Sequence, residues 1–477
     1  MAMSRRQALI GAFVIAAAVL SLSHRPSALA DTAPNDPLYR TDQGYLAYVR
    51  APEAWDAQRG DARVTVAIID DGLDIGHPDL AGNIWTNPLA GAGDCGIDLH
   101  GCNLLDPNTA PAACADSGPL HTPEITPTGW HGTFLAGVIG AAGNNGQGIA
   151  GVAWNVGLMA VRVADCRGGA ENAAVVTAIH YAVDRGARVI DVGVSSSRFS
   201  SGGCKSPNRF LADAVQYARD HGVLVVAAAG DRNRDCVDDP AAAVGALAVG
   251  GLRLPEADRW RGSRTTGSNW GPEIAVAAPA NDVIGTVPFR SGQKPPNDRY
   301  GVTSSTSAAA AIVAGEAALL LSQNSLLTPD WLTTLITLGA HPLVDATAPG
   351  WAGAGAVDIA ASLRLVPAAY SGSLTLGGGP AADGTLVEGY VGGQLCGQSS
   401  GFSVDGGSTY ALYVPAATMR PGCGVPGAVV EIRVDGMAAA QAPWNATALT
   451  LNIDVAAGDE PAADALRAVT RGVSSRR

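Results

Sequence analysis

The sequence predicts an α/β fold, a doubly wound parallel sheet, followed by a small all-β sandwich. Three observations carry this reading. Short apolar runs alternate with helical stretches from about residue 64 to 365. The runs are apolar on both faces, as expected of strands buried in a parallel sheet between helices. Beyond residue 366 the pattern changes to strict alternation between turn residues, with no helix of useful length before residue 461.

The elements follow in order. Arg5 and Arg6, an apolar run over 8–22 and Ala28-Leu29-Ala30 read as a secretory signal over 1–30. The run is shorter than the roughly 20 residues that span a bilayer, so a secreted protein with no stable membrane anchor is expected. A strand over 64–69 ends at Asp70. Residues 91–127 are irregular, hold three cysteines and read as a surface insertion; Asp94, Asp98 and Asp106 there read as solvated. A strand over 158–163, a helix over 173–184, a strand over 189–194, a helix over 208–221 and a strand over 223–229 come next. Strands near 247–249 and 274–277 precede a long apolar helix over 307–322. In such sheets the site lies at the C-terminal ends of the strands. The sandwich, over 366–457, is built from runs at 370–376, 385–391, 410–414 and 429–434, and the tail over 458–477 reads as loose.

Composition narrows the function. The 477 residues are 47% hydrophobic and 16% charged, which suits a folded chain. The net charge of −12 argues against nucleic acid or an anionic membrane as the main partner. Export makes the eight cysteines disulfide candidates, and the lack of any C-x-x-C pair argues against a zinc knuckle. Cys396 and Cys423 stand alone in the C-terminal part and are expected to pair. Cys204 and Cys236 each follow a predicted strand and pair next. Cys95, Cys102, Cys114 and Cys166 leave three pairings open.

Three segments carry chemistry. Asp70 ends a strand in Ile69-Asp70-Asp71-Gly72. His131 opens a helix in His131-Gly132-Thr133. Ser307 opens the apolar helix after Ser305-Thr306. Acyl transfer needs a hydroxyl nucleophile, a base, and a buried carboxylate that fixes the base's tautomer. A serine at a helix N-terminus also sits among amide donors suited to an oxyanion. Singly, each segment has a structural explanation, such as a loop cap or an N-cap. Together, in the order Asp, His, Ser, they point to nucleophilic catalysis.

From residue 35 to 365 the chain resembles the subtilisin-like (S8 family) serine peptidases. The matching text is Val66-Ala67-Ile68-Ile69-Asp70-Asp71-Gly72 with His77-Pro78-Asp79-Leu80, then His131-Gly132-Thr133. It continues with Val225-Val226-Ala227-Ala228-Ala229-Gly230, Val276-Ala277-Ala278-Pro279, and Thr306-Ser307 with Val313-Ala314-Gly315. The resemblance implies a serine endopeptidase acting on proteins or peptides. Asp70 would orient the base, His131 would be the general base and acid, and Ser307 the nucleophile. The substrate-binding segment falls on Gly193, Val194 and Ser195.

The family's oxyanion asparagine falls on Asp231, whose ionised carboxylate would repel the developing charge. Ser305 stands where glycine is usual, Ala311 where proline is usual, and Phe134 replaces a second histidine. These departures keep a rival reading open, a catalytically impaired relative that binds peptides. An ester hydrolase using the same triad is a second rival. The loop Asn144 to Gly151 resembles the family's calcium loop, which implies a structural Ca2+ held by Asp79, Asn145, Gln147 and Ile149. The short stretch before the first strand leaves no room for a folded inhibitory propeptide, so maturation by signal cleavage is expected; a monomer is expected as well. The C-terminal module resembles transthyretin-like or carboxypeptidase-regulatory-like sandwiches.

Overall fold

The computed structural model describes residues 33–90, 95–96, 98–112, 129–165, 169–201, 203–263, 265–288, 299–343 and 350–455. The expected signal, the tail over 458–477, Asp94, Cys114 and Cys166 lie outside these residues.

Seven parallel strands form the main sheet. They are β1 (Thr65–Asp70), β2 (Gly101–Asn103), β3 (Gly157–Arg162), β4 (Val189–Val192), β5 (Leu224–Ala228), β6 (Leu247–Arg253) and β7 (Ile274–Pro279), in the spatial order β7-β6-β5-β4-β1-β3-β2. A short strand, Asp258–Arg259, adds antiparallel to β6. The strands are apolar on both faces because both are covered. Val66, Ile68, Val189, Leu224 and Val226 face helices α1 (His131–Gly140) and α4 (Thr306–Gln323). Ala67, Ile69, Ile190, Val192 and Val225 face α2 (Asn172–Asp184) and α3 (Arg209–Asp220). Helix α4 is long and apolar enough to cross a membrane, but it is buried in this core.

Two differences from the sequence reading have clear causes. The run over 189–194 leaves the sheet after Val192, so Gly193, Val194 and Ser195 lie beyond the strand. The insertion contributes β2, and Asp98 is fully buried there rather than solvated. It accepts from Asn87 Nδ2 at 2.7 Å and pairs with Arg185 at 3.1 Å. An arginine arriving from just past α2 compensates its charge, and neighbouring sequence does not reveal that partner.

The C-terminal strands form two sheets around their own apolar cluster, which includes Tyr370, Leu412, Val430 and Trp444. One is centred on Ala368–Leu376 paired with Gly407–Val414; the other runs Gln394–Ser400, Leu386–Val391, Val429–Val434 and Met437–Pro443. Tyr413 joins this layer to the first, stacking on Trp331 and donating its hydroxyl to the Leu326 carbonyl. Disulfides link Cys95 to Cys102, Cys204 to Cys236 and Cys396 to Cys423.

Candidate active site

The C-terminal ends of the central strands bring the three reactive residues to one edge of the sheet. Asp70 is the last residue of β1 and is buried. His131 is the first residue of α1, and its Nδ1 lies 2.8 Å from Asp70 Oδ2. The start of α1 is capped from outside the helix. Asp71 accepts from the backbone N–H groups of Gly129 at 2.7 Å, His131 at 3.2 Å and Gly132 at 2.8 Å. A carboxylate at these orphan donors fixes the helix that carries the base. Burial, with Asp70 beside it, pushes the Asp71 carboxyl up to about 6.

Ser307 lies in the first turn of α4, whose N-cap Ser305 accepts from the Ala308 N–H at 3.2 Å. Ser305 has φ −161°, extended backbone that needs no glycine, so its side chain adds a cap at no conformational cost. The Ser307 hydroxyl donates to the Gly193 carbonyl at 3.5 Å. Gly193 is also where Asp70 rests. A Cβ there would overlap Asp70 Oδ2 and press on Leu135. Gly193 therefore touches both Asp70 and Ser307 through one backbone position.

Asp231 follows Gly230 after β5. Its Oδ1 accepts from the Thr306 N–H at 2.8 Å and from the Thr306 hydroxyl at 2.6 Å. Thr306, which precedes Ser307, thus anchors one oxygen, Oδ1. Burial raises the Asp231 carboxyl above its usual range, against the bonds from Thr306 and the charge of His131.

The electrostatics at His131 are unusual. Burial of the ring opposes its charge. The carboxylate of Asp70, by charge and hydrogen bond, outweighs this with help from Asp71 and Asp191, and holds the imidazole up at about 9. Asp191 lies in β4 opposite Ile68 of β1; it is fully buried and neither carboxyl oxygen has a hydrogen-bond partner among the described residues. Burial, with Asp70 nearby, pushes it well above the carboxylate range. The sequence reading assigned no role to Asp71 or Asp191. The doubled acid at 70–71 and an acid inside the apolar run 189–192 were the available signals.

The expected calcium loop is tied to Asp79. Asp79 Oδ1 accepts from Asn145 Nδ2 at 2.7 Å, and Oδ2 from the Ile149 N–H at 3.1 Å and the Tyr300 hydroxyl at 3.2 Å. Asp36 holds the same loop through the N–H groups of Asn144 at 2.6 Å and Asn145 at 3.3 Å. Burial, opposed by these donors and assisted by Asp36, pushes the Asp79 carboxyl up to about 6. Gln147 donates its N–H to Asn145 Oδ1 at 2.8 Å. Among the described residues no group of three or more His, Cys, Asp or Glu forms a metal cluster.

The chain is similar to known proteins over most of its first domain. Residues 61–355 match the Subtilase family, peptidase S8. The chain belongs to the subtilase family. The thermophilic serine proteinase of Bacillus sp. (strain AK1) is 33% identical over 290 residues, which cover 61% of this subtilase and 60% of that protein. Thermitase of Thermoactinomyces vulgaris is 32% identical over 290 residues, covering 61% of this chain and 86% of thermitase. The chain therefore spans about three fifths of the length of one relative and most of the other. A solved protease structure from Pseudoalteromonas arctica superposes with a TM-score of 0.54 at 29% identity, covering 69% of this chain and 98% of that one.

Proposed function

We propose that this subtilase is a secreted serine endopeptidase that cleaves proteins through an acyl-enzyme. The observation that carries the reading is the shared contact at Gly193. Asp70, paired with His131 at 2.8 Å, packs on its Cα, while the Ser307 hydroxyl bonds to its carbonyl. Ser307 Oγ attacks the peptide carbonyl and His131 takes its proton. Asp70 stabilises the imidazolium, which then protonates the leaving amine. Water repeats the sequence on the ester. The oxyanion is met by the Ser307 N–H at the start of α4 and by Asp231 Oδ2 when that oxygen carries a proton. Disulfides among the described residues support an oxidising compartment.

Hydrolysis of a denatured protein substrate between pH 7 and 10, by the protein and by Ser307→Ala, tests this. Turnover lost in the variant supports the reading, and its absence in the parent sinks it. A second reading is favoured by one observation. Asp231 stands where the resemblance places the family's oxyanion asparagine, and its ionised form would leave a cleft that binds peptides without turning them over.

We further propose that the Asp79 loop holds a structural calcium ion. Asp36 and Asp79 are buried carboxylates that repel one another, and neither has a basic partner among the described residues. The carbonyls of Gln147 and Ile149 accept no hydrogen bond among the described residues. Oxygen donors of this kind suit Ca2+. Asp79, the Asn145 side chain and the carbonyls of Gln147 and Ile149 would hold it, and the ion would neutralise the carboxylate pair.

A further inference from the structure

One buried asparagine holds both flanks of Asp231. Asn269 is 1% exposed and lies ahead of β7, in a segment over 267–270 that runs beside the loop after β5. Its Oδ1 accepts from the backbone N–H groups of Arg232 and Arg234, both at 3.1 Å. Its Nδ2 donates to the Ala229 carbonyl at 3.0 Å, and its backbone N–H donates to the Gly230 carbonyl at 2.8 Å. The two residues before Asp231, and the first and third after it, are therefore tied to a single residue. Only this orientation of the amide fits, because the flipped one would turn an NH2 group against two N–H donors.

The rest of the segment follows the same course. The Asp231 carbonyl accepts from the Gly267 N–H at 3.1 Å, the Gly267 carbonyl from the Asn233 N–H at 2.8 Å, and the Arg234 carbonyl from the Trp270 N–H at 2.8 Å. The packing leaves no slack. Gly230 has φ +98°, and a Cβ there would collide with Asn269 Nδ2 and with Asp238 Oδ2. Gly230 also donates its N–H to the Thr306 hydroxyl at 3.1 Å, and that hydroxyl donates to Asp231. The place of the Asp231 carboxyl beside the first turn of α4 thus depends on backbone that Asn269 sets.

We propose that Asn269 is a positioning residue for peptide hydrolysis, and that it acts by fixing the loop that carries Asp231. This rests on the endopeptidase reading above, in which Asp231 meets the oxyanion. Charge that develops in a transition state is stabilised by groups already held in place before the reaction. Removing the Asn269 side chain frees the N–H groups of Arg232 and Arg234 and takes one of two donors from the Ala229 carbonyl, whose other donor is the Asp238 N–H at 2.9 Å. The loop then moves to find new partners, and a shift of about 1 Å in a catalytic group costs on the order of 10²-fold in rate. The ground-state peptide does not feel this loss, since the charge that Asp231 meets is not yet present.

The test uses the full chain with Asn269→Ala and with Asn269→Ser, which keeps a small acceptor. Two inhibitors of one peptide sequence separate the states. A peptide boronic acid adds the Ser307 oxygen to boron, passes the serine proton to His131 and becomes a tetrahedral anion that resembles the transition state. The peptide amide binds without that step. In both variants kcat should fall about 10- to 100-fold with KM nearly unchanged. The Ki of the boronic acid should rise by the same factor, and the Ki of the amide should stay where it was. Folded variants with unchanged kcat and unchanged boronic acid binding overturn the proposal. Equal losses for the boronic acid and the amide also overturn it, because Asn269 would then only shape the cleft. Loss of folding in both variants, seen by circular dichroism, overturns it as well and assigns the residue to the fold. A parent protein whose Ser307 takes up no simple fluorophosphonate overturns the endopeptidase reading and this inference with it.

Discussion

Asp231 holds Thr306 with a single oxygen. Oδ1 accepts both the backbone N–H at 2.8 Å and the hydroxyl at 2.6 Å of the residue that precedes the nucleophile. An asparagine whose oxygen kept the bonds to Thr306 would carry an NH2 donor where an ionised Asp231 carries only a second acceptor oxygen. Asp231→Asn should therefore raise kcat by about 10²–10³-fold; removing such a donor in subtilisin, the worked example of this effect and a relative of this chain, costs that factor. Steady-state kinetics on one peptide substrate, with KM followed beside kcat, checks this. An unchanged kcat would show that Asp231 already donates, or that it lies outside the oxyanion site.

The pH profile should be displaced to alkali. His131 must be neutral to accept the Ser307 proton. Its pKa is held at about 9, so the protonated, inactive form persists above the pH at which an ordinary histidine, near 6.5, has lost its proton. The acid limb of kcat/KM should move up accordingly. Because His131 and Asp231 interact, Asp231→Asn should also bring that limb down. A limb at or below 6.5 in the parent protein would contradict this.

Gly193 should not tolerate a side chain. A Cβ there overlaps Asp70 Oδ2, so Gly193→Ala must push the carboxylate away from His131 Nδ1. A displacement of about 1 Å in a catalytic group costs on the order of 10²-fold in rate. The expected outcome is that loss of kcat with the circular dichroism spectrum preserved. Full activity in the variant would mean that Asp70 has room the structure does not show.

Much of this site was legible in sequence because its chemistry uses rare residues at fixed places. Asp70, His131 and Ser307 each sit at the boundary of a strongly apolar element, and such boundaries are visible in the hydrophobic pattern. The pairing of Asp231 with Thr306 was not legible, since it depends on how a loop after β5 meets the first turn of α4, 75 residues later. Asp238 was overlooked for the same reason. It sits in a loop stretch to which the sequence reading gives no role, and only the fold carries it against Ser195 and Gly230. Asp98 was misread because Arg185 comes from the end of a helix 87 residues away.

Glu316 should make stability depend on pH. It lies inside α4, fully buried, and neither of its carboxyl oxygens has a partner among the described residues. The nearby Ser362 hydroxyl donates to the Asp358 carbonyl instead, at 3.2 Å. Burial, with Asp358 nearby, pushes Glu316 from 4.5 up to about 8. The folded state thus holds this proton where the unfolded state has released it. Stability from this group is full below about pH 4.5 and is lost as pH rises to about 8. Glu316→Gln should be more stable than the parent by about 1–3 kcal/mol at about pH 9 and should match it near pH 4.5. Urea melts at the two pH values check this. A constant difference would place the effect in packing rather than in ionisation.

Calcium should stabilise the loop at Asp79. Chelation with EDTA should lower Tm by several degrees, and added Ca2+ should restore it, since an ion bound only to the folded state at about 100 times its Kd adds about 2.7 kcal/mol. Asp79→Asn should abolish the response. A Tm indifferent to EDTA would mean that Asn145, Ile149 and Tyr300 satisfy Asp79 without an ion.

The central claim is an activated serine served by His131 and Asp70. Its most direct test is labelling by a simple fluorophosphonate from pH 5 to 10, beside Ser307→Ala and with folding followed by circular dichroism. The account predicts labelling that depends on Ser307 and increases with pH as His131 loses its proton. Folded protein that takes up no label at any pH would contradict it and leave a peptide-binding cleft in place of a protease.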